Sequence, residues 1–233
     1  MNYNVLQRDK KSPFVRFLNH TSPGIVCNQF YELRLSNGCP FNCQYCYLKL
    51  DLRGDTGPVI FTNPWEQVER SLDQVSAGVF STGEMADSLA ITPPLLRPAL
   101  AYFRRHKDKF LFLTTKSDNV SALLALEPTS QAWISFSINA VKAWERFEAN
   151  TPHPYRRLAA ARALKDAGWR VRVRIDPMIA EIGLDHYRDT AGRVNLLAPE
   201  RVTLGTLRRL PGLFGADDGA DCRALECRGE RQG

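Results

Sequence analysis

No stretch of the 233 residues approaches the roughly 18 consecutive apolar residues that a membrane-crossing helix needs, so no membrane role is expected. The N-terminus, MNYNVLQRDKKSPF, has no apolar core and does not read as a secretory signal, which makes the cytoplasm the expected compartment. There is no internal repeat and no long low-complexity tract. Histidine is scarce: His20, His106, His153 and His186 are scattered, and none lies near a cysteine cluster. Cysteine itself is missing from residue 47 to residue 221. The six that exist are Cys27, Cys39, Cys43, Cys46, Cys222 and Cys227, three of them within eight residues. In a reducing compartment such a cluster reads as metal ligands rather than as a disulfide framework.

What is present describes a globular chain. Hydrophobic residues make up 44% and charged residues 24%, values that support a sizeable buried core. The net charge is +6, and the last 18 residues are acidic, with five acids against three arginines. The body up to Gly215 therefore carries about +8, compatible with a polyanionic partner such as DNA and equally common in proteins that bind none.

Short β-like runs at 31–36, 78–82, 110–115, 133–138, 171–176 and 201–205 alternate with helix-like segments at 64–76, 95–107, 119–126, 141–148, 155–167 and 185–196. The clearest helix is 155–167, rich in Ala and Leu and stopped by Gly168. Six such units predict an α/β protein with parallel strands. Val171, Val173 and Ile175 alternate with Arg172, Arg174 and Asp176, and Ile134, Phe136 and Ile138 alternate with Ser135, Ser137 and Asn139. Parallel strands covered on both faces read as continuous apolar runs. One polar face instead favours a partial (β/α)6 TIM-type barrel with a ligand cavity over an open doubly wound sheet. The expected organisation is an extended lead-in over 1–30, the barrel over 31–215, and a disordered, Gly-rich charged tail over 216–233. With no helix left to cover the sixth strand, the sequence reads as a piece of a longer protein or as a chain whose edge a partner covers.

The segment Gly38-Cys39-Pro40-Phe41-Asn42-Cys43-Gln44-Tyr45-Cys46-Tyr47 spaces its cysteines C-x3-C-x2-C directly after the first predicted strand. Three thiolates at Cys39, Cys43 and Cys46 can hold three corners of a [4Fe-4S] cluster and leave the fourth iron open. S-adenosylmethionine (SAM) can fill that position, and its reductive cleavage to a 5′-deoxyadenosyl radical defines the radical SAM fold and chemistry. Zinc held by these cysteines and a histidine is the alternative, and no histidine is near. After the second predicted strand comes Gly83-Glu84, a carboxylate suited to the SAM ammonium. Lys116 ends the third, where a lysine can reach a carboxylate in the barrel mouth; a solvated loop lysine is the bland reading. Ser137, Asn139 and Arg174 face the inferred cavity, and an Arg-Asp pair there also has a purely structural reading.

Taken together, SNGCPFNCQYCYL, LTTKSDN, ISFSIN, PHPYRRLAAARALKDAGWRVRVRIDPMI and RVTLGTLRRLPGL resemble the spore photoproduct lyase family of radical SAM proteins, in the family's order from about residue 31 to 214. The resemblance implies a partial TIM barrel, a [4Fe-4S] cluster, SAM, and repair of a thymine dimer in ultraviolet-damaged DNA. It also implies an external electron donor such as flavodoxin or ferredoxin. By match, Tyr45 and Tyr47 serve catalysis beside the third cysteine, while Asp87, Lys116 and Ser137 contact SAM. Two departures stand out. The family's hydrogen-donating cysteine falls where this chain reads Glu84-Met85-Ala86-Asp87, and the family's C-terminal portion has no counterpart beyond about residue 215. A small-molecule or peptide substrate, or a non-catalytic iron–sulfur or zinc module, are the competing readings.

Overall fold

The computed structural model describes residues 4–18, 30–52, 57–91 and 94–207. Strands β1 (Leu6–Arg8), β2 (Val15–Leu18), β3 (Phe30–Leu33), β4 (Ser36–Asn37) and β5 (Asn42–Cys43) lead to α1 (Leu48–Asp51), β6 (Val59–Phe61) and α2 (Trp65–Asp73). Then follow β7 (Gly78–Ser81), α3 (Leu96–Arg105), β8 (Lys109–Thr115), α4 (Ser121–Leu124), β9 (Ala132–Ser137), α5 (Val141–Phe147) and β10 (Glu148–Ala149). The chain continues through α6 (Pro154–Asp166), β11 (Arg170–Met178), a 3-10 turn at Ala180–Ile182, α7 (Leu184–Leu197) and β12 (Val202–Thr206).

The principal sheet runs β12-β11-β9-β8-β7-β3-β2. Its six strands from β3 to β12 are parallel neighbours in the order of the sequence. A doubly wound sheet reverses its strand order at a switch point. None occurs here, and right-handed crossovers between sequential neighbours put the helices on one face. α3 lies against β8, and α6 against β9 and β11. Their contact face is apolar: Leu111, Leu113, Ile134, Phe136, Val171 and Val173 join Ala99, Leu100, Ala161 and Leu164 in one core. On the other face, Ser135 and Ser137 are buried, and Arg172 and Arg174 are half-buried.

α6 shows why its sequence forms a helix. Pro154 occupies the first turn, the His153 ring accepts from the Tyr155 amide (3.1 Å), and Gly168 at φ +90° ends it.

Four expectations need correction. The sheet is not purely parallel, since β2 pairs antiparallel with β3 as its outer strand. Residues 4–18 of the lead-in contribute two strands, β1 pairing with β6. The predicted strand 31–36 divides: Leu35 turns into the core, and Ser36–Asn37 pairs with β6 in a second sheet, β1-β6-β4. The predicted helix 119–126 shrinks to α4. Ser117 Oγ takes the Asn119 amide and Asn119 Oδ1 takes the Ser121 hydroxyl, turn chemistry that competes with helix.

β12 stands at the sheet edge with Leu204 64% exposed, as expected of an uncovered last strand. Among the described residues no helix is long and apolar enough to cross a membrane. Cys27, Cys222, Cys227 and the segment 216–233 lie outside the described residues.

Candidate active site

The cysteine loop leaves the β3–β4 region and is tied down at three points. At its start Gly38 has φ +75°, a left-handed conformation that favours glycine; its amide bonds Met85 O (2.7 Å), and it bridges Ala86 in parallel. In the middle, β5 pairs antiparallel with β10, placing Cys43 opposite Glu148, and the Gln44 amide bonds Phe147 O (2.9 Å). At its end the Tyr47 hydroxyl donates to Glu84 O (2.5 Å). All three thiols are free; Cys43 is buried, and Cys39 and Cys46 are half-buried. Burial pushes the Cys39 thiol well above its usual range and Cys43 up to about 12. By themselves these thiols stay protonated at neutral pH, and a bound metal's charge is what makes such ligands thiolates.

The other predicted residues gather around this loop at the C-terminal ends of successive strands. Beyond β7, Glu84 accepts from the Ser81 hydroxyl (3.0 Å). Burial pushes its carboxyl up, opposed by that hydrogen bond and by the Arg174 charge. Gly83 just before it is required by closeness: a Cβ there would stand 2.6 Å from Thr114 Cβ. Gly83→Ala should therefore displace the Glu84 segment from β8 and cost about 1–3 kcal/mol, measured by urea unfolding. A cost below a few tenths would refute the close approach.

Lys116 sits after β8 with its ammonium 5.5 Å from the centre of the Tyr45 ring and no hydrogen-bond partner among the described residues. Burial lowers its pKa, but the nearby charge, Glu148 above all, outweighs that and leaves it above the ordinary lysine range.

Asp87 is engaged within the protein through both carboxylate oxygens. Its Oδ1 accepts from the Leu89 and Ala90 amides and the Thr115 hydroxyl, and its Oδ2 accepts from the Lys116 amide (2.6 Å). It brackets the β7 and β8 ends together. Asn139 is similarly engaged, donating to Glu148 Oε1 (3.1 Å) and Pro177 O (3.2 Å) and accepting from the Ala140 amide. Ser137 is buried at the end of β9. Arg174 faces Asp176 at 3.5 Å, and Gly205 makes room for that carboxylate. Arg172 stands apart, pairing with Glu200 (2.9 Å) and lying 4.0 Å over the Trp133 ring.

Of the two tyrosines, Tyr47 reaches the Glu84 segment, while the Tyr45 hydroxyl donates to Glu148 Oε1. Burial raises both phenols well above their usual range, reinforced by Glu148 for Tyr45 and by Glu84 for Tyr47.

Three residues escaped the sequence reading. Glu148 and Arg157 form an ion pair at 2.6 Å with no exposure of either side chain. The signal was available: Arg157 stands at i to Ala160, Ala161 and Leu164 on the apolar face of α6, and a buried arginine needs a carboxylate. Glu32, on β3, is 2% exposed with Oε1 unpartnered among the described residues, and its charge is felt by both Tyr47 and Glu84.

Sequential parallel strands, a three-cysteine loop after the first of them and polar side chains at the following strand ends define the α/β fold of radical SAM proteins. The spore photoproduct lyase profile matches residues 27–202, three quarters of the chain. The chain belongs to the spore photoproduct lyase family. It is 25% identical over 160 residues to the spore photoproduct lyase of Clostridium acetobutylicum, covering 64% of this chain and 46% of the relative. A solved spore photoproduct lyase complexed with dinucleoside spore photoproduct superposes with a TM-score of 0.74 at 20% identity, covering 95% of this chain and 65% of that one. A spore photoproduct lyase mutant with bound AdoMet and dinucleoside spore photoproduct superposes with a TM-score of 0.70 at 21% identity, covering 84% of this chain and 59% of that one. The chain spans about half the length of the curated relatives it matches.

Proposed function

We propose that this chain is a radical SAM enzyme that acts on an ultraviolet lesion in DNA, with its principal sheet curved as a partial (β/α)6 barrel around the site. The observation that carries the reading is the juxtaposition of three free thiols in one anchored loop with the Lys116 ammonium, which has no hydrogen-bond partner among the described residues. Cys39, Cys43 and Cys46 would hold a [4Fe-4S] cluster. A single zinc ion needs its ligands within about 2.0–2.3 Å of one centre. A cube instead gives each thiolate its own iron.

The chemistry supplied by cluster and SAM together is reductive cleavage to a 5′-deoxyadenosyl radical that abstracts hydrogen. The chain's own residues bind and orient. Glu84, aimed from the β7 end, suits the SAM ammonium. Lys116 suits its carboxylate, and Ser137 and Arg174 line the same mouth. Tyr47, fastened to the Glu84 segment, joins the cysteine loop to the SAM-binding loop. Asp87 and Asn139 hold the strand ends that present these groups. The electron comes from an external donor of the flavodoxin or ferredoxin kind. The lesion as substrate is supported by the family, and the basic body of the chain is compatible with it.

The test is anaerobic loading with iron and sulfide, then SAM and dithionite, following 5′-deoxyadenosine by chromatography with and without ultraviolet-irradiated DNA. Deoxyadenosine formation with loss of the dinucleoside photoproduct supports the reading. SAM cleavage that leaves the photoproduct untouched points instead to a small molecule or peptide. A loaded cluster with no cleavage removes the enzymatic reading. Lys116→Ala should weaken SAM binding about 10–100-fold in calorimetry of the loaded protein, the worth of one charge-assisted contact. A change under twofold would separate Lys116 from SAM.

A further inference from the structure

Glu148 connects the cysteine loop to the core through both its backbone and its side chain. Its backbone lies opposite Cys43 in the β5–β10 pair. One carboxylate oxygen accepts from the Tyr45 hydroxyl and from Asn139 Nδ2 (3.1 Å). The other lies 2.6 Å from Arg157 Nη2. Arg157 is fixed in turn, its Nε donating to Pro152 O (2.7 Å), Nη1 to Ser137 O (3.0 Å) and Nη2 to Thr151 Oγ1 (2.5 Å). Between Cys43 and Cys46 the buried side-chain tether is thus Glu148, beside the backbone bonds of β5 to β10 and of Gln44 to Phe147, while Cys39 is held independently by the Gly38 contact to Met85 and Ala86.

Burying an ion pair is weak evidence for stability, because well-packed apolar residues of similar volume do as well or better. A carboxylate kept here at the cost of desolvation is better explained by geometry. Tyr45 stands between Cys43 and Cys46, so fixing its ring fixes the spacing of those two thiols. We propose that Glu148 is the positioning residue of the cysteine loop, holding Cys43 and Cys46 in their ligating arrangement through the Tyr45 hydroxyl, with Arg157 supplying the compensating charge. The proposal rests on the reading of the loop as a cluster site.

The test uses the full chain and two variants that strand neither partner of the Glu148–Arg157 pair, Tyr45→Phe and the double variant Glu148→Ala/Arg157→Met. A third, Glu148→Gln/Arg157→Met, keeps an acceptor for Tyr45 and serves as the conservative rescue. Circular dichroism checks that each is folded. In the metal-free chain, iodoacetamide should alkylate Cys43 and Cys46 about tenfold faster in the first two variants, with Cys39 unchanged and the rescue close to wild type. After loading, the same two should lose iron to a chelator faster and give a broadened electron paramagnetic resonance signal. Equal alkylation of Cys43 and Cys46 across all folded forms would overturn the proposal and leave Glu148 as a core ion pair. So would acceleration of all three thiols together, which marks general loosening. Because alkylation is read without iron, a wild-type chain that fails to take up four irons would count against the cluster reading alone.

Discussion

Cys43→Ala should reduce bound iron and SAM cleavage to background in a chain that remains folded. Cys43 is the deepest of the three thiols, 6% exposed, and it lies in the strand that anchors the loop. Among the described residues no fourth cysteine exists to replace it. With one corner gone, two thiolates remain for a cube that needs three from the protein. Alanine keeps the backbone pairing with β10, so the loss is of a ligand and not of the loop. Iron and sulfide content, visible absorbance and deoxyadenosine formation give independent readings. Four irons per chain with normal SAM cleavage in this variant would overturn the ligand assignment.

The largest effect on stability should come from Arg157→Ala. The variant leaves Glu148 buried with its countercharge removed, for which about 3–5 kcal/mol is expected at neutral pH. The double variant Glu148→Gln/Arg157→Met should lose much less, since neither partner of the pair is left facing an empty place. The acid dependence follows from the pKa of Glu148. Burial would raise it, but Arg157, Lys116 and the hydrogen bonds from Tyr45 and Asn139 overcome burial and hold the carboxyl below its usual range. A carboxyl depressed in the folded state contributes stability above its unfolded pKa of about 4.3 and loses it as pH falls through the folded value. In Arg157→Ala the sign reverses, because protonation then relieves a stranded charge. Urea unfolding should therefore show the gap between wild type and variant narrowing from pH 7 towards pH 4. A gap independent of pH would mean that Arg157 acts by packing alone.

The course of the principal sheet was legible because its strands alternate so regularly. Val171, Val173 and Ile175 against Arg172 and Arg174 carry the face assignment in the residues themselves, and burial follows it. The short pairings were not legible. Two-residue strands such as Ser36–Asn37 and Asn42–Cys43 have no periodicity, and their partners are set by where the loop returns in space. In the site, C-x3-C-x2-C was readable from spacing and Lys116 from its place after a strand. The hydrogen bonds of Asp87 and Asn139 were not. A carboxylate beside a ligand mouth and one that ties four backbone and hydroxyl donors look alike until the donors are placed. Glu148 was hidden because the helix before it and the two-residue strand that holds it are both too short to give a pattern.

The partner of Tyr45 lies 103 residues further along the chain. At about 5–20 residues per second, a ribosome takes roughly 5–20 s to reach it after the third cysteine has been made. During that interval the nascent polypeptide carries three thiols without the carboxylate that orders two of them. On the proposal above, the loop reaches its ligating arrangement only after α6 has docked and brought Arg157 to Glu148.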